Sequence, residues 1–157
     1  MASDEYDKVE LPALTQLQSL GWDYIEGAQL SPDESEERTY LTDVVLESRL
    51  KDAIKRINPW INETNLNQVV RPFIKIQKST LLEANKWVWE SLTQYLSVEQ
   101  DLGKGKKGQT VKVIDFDNPE NNEFLCTNQF KISGVNQNII PDILLFVNGL
   151  PLVVIEC

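Results

Sequence analysis

The chain has 157 residues, of which 41% are hydrophobic, and this composition suits one globular domain with a substantial core. Its net charge of −9 argues against a free-standing nucleic-acid binder, because duplex binding normally requires Lys and Arg to replace condensed counterions. The absence of histidine excludes Ser-His-Asp triads, histidine acid–base catalysis and the common zinc sites.

Two helices are predicted in the first sixty residues. The first covers about residues 10–20, because leucines recur at helical spacing and Gly21 supplies a stop. Pro12 belongs in its first turn, which places Glu10 at or just before the helix N-terminus. The second helix has an apolar face over residues 46–57 and ends before a proline.

A third helix is predicted to begin at the capping box formed by Thr80 and Glu83. Its buried face is expected to extend to Tyr95 and Leu96. The two tryptophans of this helix, residues 87 and 89, are interpreted as packing residues rather than base-stacking ones, because the sequence shows no basic groove around them.

After Leu102 the hydrophobic pattern changes to a period of two residues, which is typical of strands. The basic segment 103–108 is expected to be a flexible connector, with a phosphate-backbone contact as the alternative. Strands are predicted over residues 111–116 and 123–132, followed by a hairpin. The sequence therefore predicts an α+β domain, mainly helical over residues 1–100 and β-rich over residues 110–157.

The predicted hairpin, residues 141–157, consists of two apolar runs joined by Asn148-Gly149. Each run carries one carboxylate, Asp142 or Glu156. A buried, uncompensated carboxylate costs several kcal/mol, so we expect the two acids to share a divalent metal or, alternatively, to be incidental acids at strand ends.

The length of the hairpin loop decides whether a shared metal is possible. A two-residue turn in a regular ladder would place Asp142 and Glu156 on opposite faces of the sheet. A three-residue loop, closed by Gly149 in the left-handed conformation, or a β-bulge would place them on the same face. We therefore predict an odd-length loop or a bulge.

The hairpin resembles the PD-(D/E)xK nuclease motif and, in particular, the N-terminal endonuclease region of the type I restriction enzyme R subunit. The resemblance extends upstream and touches nearly the whole chain. The most similar segments are Pro141-Asp142, residues 146–152, Ile155-Glu156, Val113–Phe124 and Asn128–Phe130. One position differs, because the lysine of the motif would be residue 158 and the sequence ends at Cys157.

The resemblance implies a restriction-endonuclease-like mixed β-sheet flanked by helices, with residues 1–157 as the N-terminal part of the nuclease domain. It implies Mg²⁺-dependent hydrolysis of DNA, with Asp142 and Glu156 as catalytic, metal-binding residues. In such nucleases a glutamate of the first helix often helps to hold the metal, and Glu10 is the matching position. A capping or helix-dipole role is the alternative for Glu10, and Glu47 is a weaker candidate for the metal site.

The resemblance also implies partners. In that family, methyltransferase (M) and specificity (S) subunits complete the complex, and ATP is used by a motor region outside this chain. Without the motif lysine, the chain alone is expected to bind Mg²⁺ weakly and to cleave nothing. The alternative function is a non-catalytic protein-interaction domain that retains the nuclease fold, for which the acidic composition and the missing lysine are the supporting facts.

Cellular location is inferred from the cysteines and from hydropathy. Cys126 and Cys157 are too few for a disulfide scaffold, so both are predicted to be free thiols in a reducing compartment. No run approaches eighteen apolar residues, and the N-terminus lacks the pattern of a signal peptide. We expect a soluble cytoplasmic protein that does not contact a membrane.

Overall fold

A computed structural model describes residues 6–157, which form two compact units. The first unit comprises the chain up to Leu46 together with Glu123–Cys157, and the second comprises Glu47–Asn122. Both combine helices with strands, and the first contains a mixed sheet, so the predicted α+β class is confirmed.

Helices in residues 6–157 agree in part with the predicted ones. A π-helical turn, Tyr6–Glu10, leads into the first α-helix, which has Pro12 in its first turn and Glu10 at its N-cap, as expected. Short 3₁₀ turns form at Gly27–Leu30 and Pro119–Asn121. The α-helices are α1 (Leu11–Ser19), α2 (Glu47–Ile57), α3 (Glu63–Ile74) and α4 (Leu81–Thr93).

The strands of both units are short. They are β1 (Asp23–Tyr24), β2 (Leu96–Asp101), β3 (Lys106–Val111), β4 (Phe124–Asn128), β5 (Ile132–Ser133), β6 (Asn138–Ile139), β7 (Ile143–Val147) and β8 (Leu150–Ile155).

The sheet of the first unit has the order β1-β4-β7-β8. Strand β1 runs parallel to β4, whereas the β4–β7 and β7–β8 pairs are antiparallel. Strand β7 is buried on both faces, which explains its unbroken run of apolar residues. Ile143 and Leu145 pack with Leu14 of α1, and Leu144 and Phe146 belong to a second cluster with Leu30, Leu46, Leu125 and Phe130.

The second unit is built from α2, α3, α4 and the β2–β3 hairpin. The Asn65 side chain of α3 donates hydrogen bonds to the Glu99 carbonyl (3.2 Å) and to Gln100 Oε1 (2.9 Å). These contacts attach the helix to β2. Buried polar groups of this kind are stabilising only when they are paired, as they are here.

The helices of the second unit differ from the prediction in two ways. Helix α3 was not predicted, although Asn62 accepts a capping hydrogen bond from Asn65 N at 2.8 Å. Helix α4 ends at Thr93 rather than continuing to Leu96, because Tyr95 adopts a left-handed conformation (φ 65°) and Leu96 begins β2.

The predicted basic connector and the strand that follows it also need correction. Strand β3 already begins at Lys106, which pairs with Asp101, so the turn is shorter than residues 103–108. Beyond Val111 the chain leaves the ladder, because Asp115 accepts hydrogen bonds from Asp117 N, Asn118 N and Asn121 Nδ2. This carboxylate organises a loop where a strand was expected.

The tryptophans of α4 differ from each other. Trp87 packs against Phe73, with ring centroids 4.9 Å apart, as a packing role predicts. Trp89 is 60% exposed, so a packing role was wrong for this residue. Within residues 6–157, no helix combines the length and the apolar character needed to cross a membrane.

Candidate metal-binding site

The β7–β8 hairpin has a tight turn and a bulge. Val147 pairs with Leu150, so the turn contains only Asn148 (φ 53°) and Gly149 (φ 79°). Positive φ at both positions is typical of a type I′ turn. The predicted three-residue loop was therefore wrong, whereas the predicted left-handed conformation of Gly149 is confirmed.

The bulge restores the register that a shared ion requires. Phe146 pairs with Pro151 but Leu145 pairs with Val153, which leaves Leu152 as the extra residue. The ladder ends at the pair Ile143–Ile155, and the next positions outward are Asp142 and Glu156. Residues directly opposite each other in an antiparallel pair have side chains on the same face. The predicted bulge is thus confirmed at a different residue, Leu152. Continuing the same register by one residue would set Glu156 opposite Asp142, just outside the ladder.

The burial of the two acids differs from the expectation. The middle of strand β8 is exposed, since Leu152, Val153 and Val154 are 40%, 46% and 57% exposed. Glu156 is exposed, and Asp142 is half-buried with its Oδ2 accepting a hydrogen bond from Cys157 N at 2.7 Å. Burial therefore does not by itself force a cation between Asp142 and Glu156.

The buried carboxylate of this region is Glu10, which is only 6% exposed. Its side chain makes no capping hydrogen bond to α1. The Gln129 side-chain amide lies 3.4 Å from one Glu10 oxygen and 3.5 Å from the other, longer than a good N–H···O hydrogen bond. A buried carboxylate with such weak partners favours a cation beside it.

Glu10 and Asp142 line the same open cavity, which has a volume of about 550 Å³. The Gln129 main-chain N–H donates to the Asp142 carbonyl at 3.2 Å, so one residue contacts both acids. Tyr6, Tyr24, Glu26, Asn128 and Gln129 complete the lining.

Sequence reasoning missed most of this lining. Asn128 and Gln129 were noted only as part of the resemblance, and no local pattern marks Tyr24 or Glu26. Burial, with Tyr6 and Glu26 nearby, raises the pKa of Tyr24. Its phenol therefore stays protonated at neutral pH and donates to Asn128 Oδ1 at 2.8 Å. A positive φ of 52° at Gln129 ends strand β4 and turns the chain toward Glu10.

The donor set of the cavity fits a hard cation. Carboxylate and amide oxygens are the ligands that Mg²⁺ accepts, and Mg²⁺ usually keeps several waters, so one or two carboxylates can suffice. Residues 6–157 contain no group of three His, Cys, Asp or Glu side chains placed to hold a metal. Neither cysteine forms a disulfide, as predicted, and Cys126 is buried whereas Cys157 is exposed.

Glu47, the weaker candidate, lies outside this cavity. It begins α2 in the second unit and forms an i,i+4 ion pair with Lys51 at 2.7 Å. This ion pair gives the Glu47 carboxylate a structural role outside the cavity. This carboxylate provides a useful control for experiments on the cavity.

Comparisons with known proteins agree on one family. The family described as type I restriction enzyme R protein N terminus matches residues 3–157. The chain is 36% identical over 150 residues to the HindI type I restriction enzyme endonuclease subunit of Haemophilus influenzae, covering 94% of the chain and 14% of that protein. A subunit provisionally named as the MjaIXP endonuclease subunit of Methanocaldococcus jannaschii is 34% identical over 151 residues, again with 94% and 14% coverage. The chain thus spans 14% of the length of these relatives.

Proposed function

The chain belongs to the family of type I restriction enzyme R protein N termini, and we propose that it forms part of a DNA endonuclease. The proposed reaction is Mg²⁺-dependent hydrolysis of DNA phosphodiester bonds. We further propose that a longer protein couples this reaction to ATP-driven translocation and that it works with methyltransferase and specificity subunits. The restriction endonuclease names of the relatives support this proposal.

One observation carries the assignment to this cavity. Glu10 and Asp142 are distant in the sequence, yet both line the same cavity, and within residues 6–157 the buried Glu10 has no strong hydrogen-bond partner. The ladder of the hairpin ends at the pair Ile143–Ile155, one residue from each acid, and this register supports a position of Glu156 near Asp142. We propose Asp142 and Glu156 as the catalytic metal ligands, with Glu10 as a further ligand.

The proposed mechanism divides the work between the cation and the chain. When bound, Mg²⁺ would supply positive charge that activates water and stabilises the anionic phosphate. Cys157 N holds the Asp142 carboxylate in place, and the Gln129 amide is close enough to orient Glu10. The contact with Cys157 N fixes an acceptor oxygen of Asp142 before a ligand arrives, which lowers the cost of ordering it on binding.

We also propose that residues 1–157 by themselves hold Mg²⁺ only weakly. The present carboxylates would leave most of the coordination sphere to solvent.

Metal binding tests the assignment directly. Paramagnetic Mn²⁺ is titrated into the chain, and broadening of backbone NMR signals is mapped. Broadening is expected around Asp142 and Gln129, and Asp142→Asn, Glu156→Gln and Glu10→Gln should each weaken it. Glu47→Gln removes an equal charge outside the cavity and should leave it unchanged. If Glu47→Gln weakened the broadening as much as the other substitutions, the broadening would reflect net charge alone, and the proposed metal site would be refuted.

Cleavage is tested in a full-length subunit that contains this chain. Asp142→Asn should abolish DNA cleavage, while ATP hydrolysis and translocation persist because residues 1–157 carry no P-loop motif. A parallel loss of ATPase activity would indicate a folding defect and contradict a separate nuclease role.

A non-catalytic interaction domain is the second candidate function. Leu81 and Leu82, in the first turn of α4, are 78% and 79% exposed, and exposed apolar residues of this kind favour protein contacts. If this candidate is correct, Asp142→Asn leaves cleavage intact in the full-length subunit, whereas Leu81→Ser with Leu82→Ser impairs assembly.

A further inference from the structure

A basic segment in the second unit is unusual for so acidic a chain. Residues 71–79 contain Arg71, Lys75 and Lys78 but no acidic residue, whereas the whole chain has a net charge of −9. The segment comprises the end of α3 and the linker toward α4. Its positive charge is therefore concentrated over a short stretch of the chain.

These cations surround a pocket rather than a flat surface. The pocket has a volume of about 310 Å³, and its lining includes Arg71, Lys75, Lys78 and Trp87. All three cations are exposed, and within residues 6–157 none of them takes part in a salt bridge. By contrast, five other lysines do: Lys51, Lys55, Lys86, Lys106 and Lys112. The positive charge in the pocket is thus available to an anion.

The aromatic wall of the pocket is held in place and only loosely covered. Trp87 contacts Phe73 at a ring-centroid distance of 4.9 Å and an interplanar angle of 49°. Lys78 Nζ lies 5.9 Å from the Trp87 ring centroid, near the outer limit of a cation–π contact. A planar ligand could therefore displace Lys78 from the ring and place its anionic group among the cations.

We propose that this pocket binds a nucleotide unit of single-stranded DNA, with its phosphate near Arg71, Lys75 and Lys78 and its base against Trp87. Phosphate-tracking cations beside an aromatic ring are the combination that single-strand binders use. A duplex keeps its bases stacked inside and could offer only its backbone. The choice of DNA, rather than a free nucleotide, rests on the proposed nuclease function.

Binding is measured by fluorescence anisotropy of a labelled oligothymidylate with the 157-residue chain, at low salt and without divalent metal. Weak binding is expected, because the net charge of −9 opposes it. Replacing Arg71, Lys75 and Lys78 by Gln should reduce the affinity. It should also lower the salt slope of log affinity by about 2, because each phosphate that a cation neutralises on a single strand adds about 0.7 to that slope. Trp87→Leu should weaken binding about tenfold, and Trp87→Phe should weaken it less.

The β2–β3 hairpin supplies a control that is matched in charge, although its Lys106 is paired with Glu99. Replacing Lys104, Lys106 and Lys107 by Gln removes the same charge from the same unit. This control variant should keep nearly the wild-type affinity. An equal loss of affinity would overturn the proposal, because binding would then depend on overall positive charge or on the hairpin lysines. Urea unfolding midpoints identify variants that lose binding because they unfold. If Trp87→Leu is one of them, the smaller loss of affinity expected for Trp87→Phe tests the proposal instead.

Further measurements separate this inference from the nuclease proposal. Failure to detect Mn²⁺ at the acidic cavity should leave metal-free oligothymidylate binding unchanged, because the basic pocket shares no lining residue with that cavity. Thymidine monophosphate that competes at concentrations matching the oligonucleotide would indicate a free-nucleotide site and overturn the single-strand assignment. Tighter binding of a duplex, or no binding of oligothymidylate at low salt, would also refute it.

Discussion

Asn148 tests how the hairpin is held in its register. Its side chain is fully buried, its Oδ1 accepts a hydrogen bond from Glu123 N at 2.7 Å, and its own N–H donates to the Glu123 carbonyl at 2.9 Å. Its φ of 53° lies in the left-handed region, which Asn tolerates better than most residues. Asn148 thus joins β7 to the start of β4 by two effects that can be separated.

The two effects are separated by a pair of substitutions. Asn148→Gly keeps the left-handed conformation but leaves Glu123 N without its acceptor, which should cost about 1–3 kcal/mol. Asn148→Ala loses the same hydrogen bond and adds a left-handed penalty of about 1–2 kcal/mol, partly offset by about 0.4–1 kcal/mol from a less flexible unfolded chain. Urea denaturation should therefore rank the wild type above Asn148→Gly and Asn148→Gly above Asn148→Ala. Equal stability of the wild type and Asn148→Gly would refute the role of the hydrogen bond.

Three further predictions concern other parts of the chain. Gly27→Ala would place a Cβ 2.2 Å from the Asn128 carbonyl oxygen. It should destabilise the fold by about 1–3 kcal/mol in urea denaturation and reduce the Mn²⁺ broadening. Wild-type stability and broadening in this variant would contradict the prediction. A hydrogen bond from the Asn121 side chain lowers the pKa of Asp115 below its ordinary value of 3.8. The ionised Asp115 therefore stabilises the folded state above that pH, and this contribution is lost as the pH falls through the lowered pKa. Asp115→Asn should flatten this acid loss in urea midpoints measured between about pH 2 and 5. Burial raises the pKa of Cys126, so a thiol reagent should label Cys157 quickly and Cys126 only after denaturation, and two fast sites would contradict the burial.

Local sequence signals predicted the elements that depend on local chemistry. Leucine spacing identified α1, and the capping box identified the start of α4, where Thr80 accepts a hydrogen bond from Glu83 N. Helix α3 was missed although Leu66, Val69, Val70 and Phe73 recur at helical spacing after the Asn62 cap, with Pro72 inside the helix. Local signals failed at Tyr95, because a bulky residue with positive φ is held by its surroundings rather than by its own preference.

The hairpin has the predicted extra residue, but at a different position from the one that the loop argument favoured. Parity required one extra residue between Asp142 and Glu156, and the structure places it at Leu152 rather than in the turn. The sequence contained a usable signal, because Pro151 has no N–H and proline within a strand is confined to edges and bulges. Asn148-Gly149 was equally clear as a two-residue turn. Taken together, the two signals predict the observed register.

The candidate site shows what local patterns cannot provide. The apolar run of β8 suggested buried acids, yet Glu156 is exposed and the buried carboxylate is Glu10. Glu10 becomes buried because the turn at Gln129 and the end of β4 meet the start of α1, a tertiary arrangement that no local period encodes. A resemblance identified Glu10 as a candidate, but only the geometry shows that its carboxylate lacks a strong partner among residues 6–157. The burial of Glu10 is therefore the stronger physical argument for the metal that we propose at this cavity, and the hairpin register supports the proposal for Asp142 and Glu156.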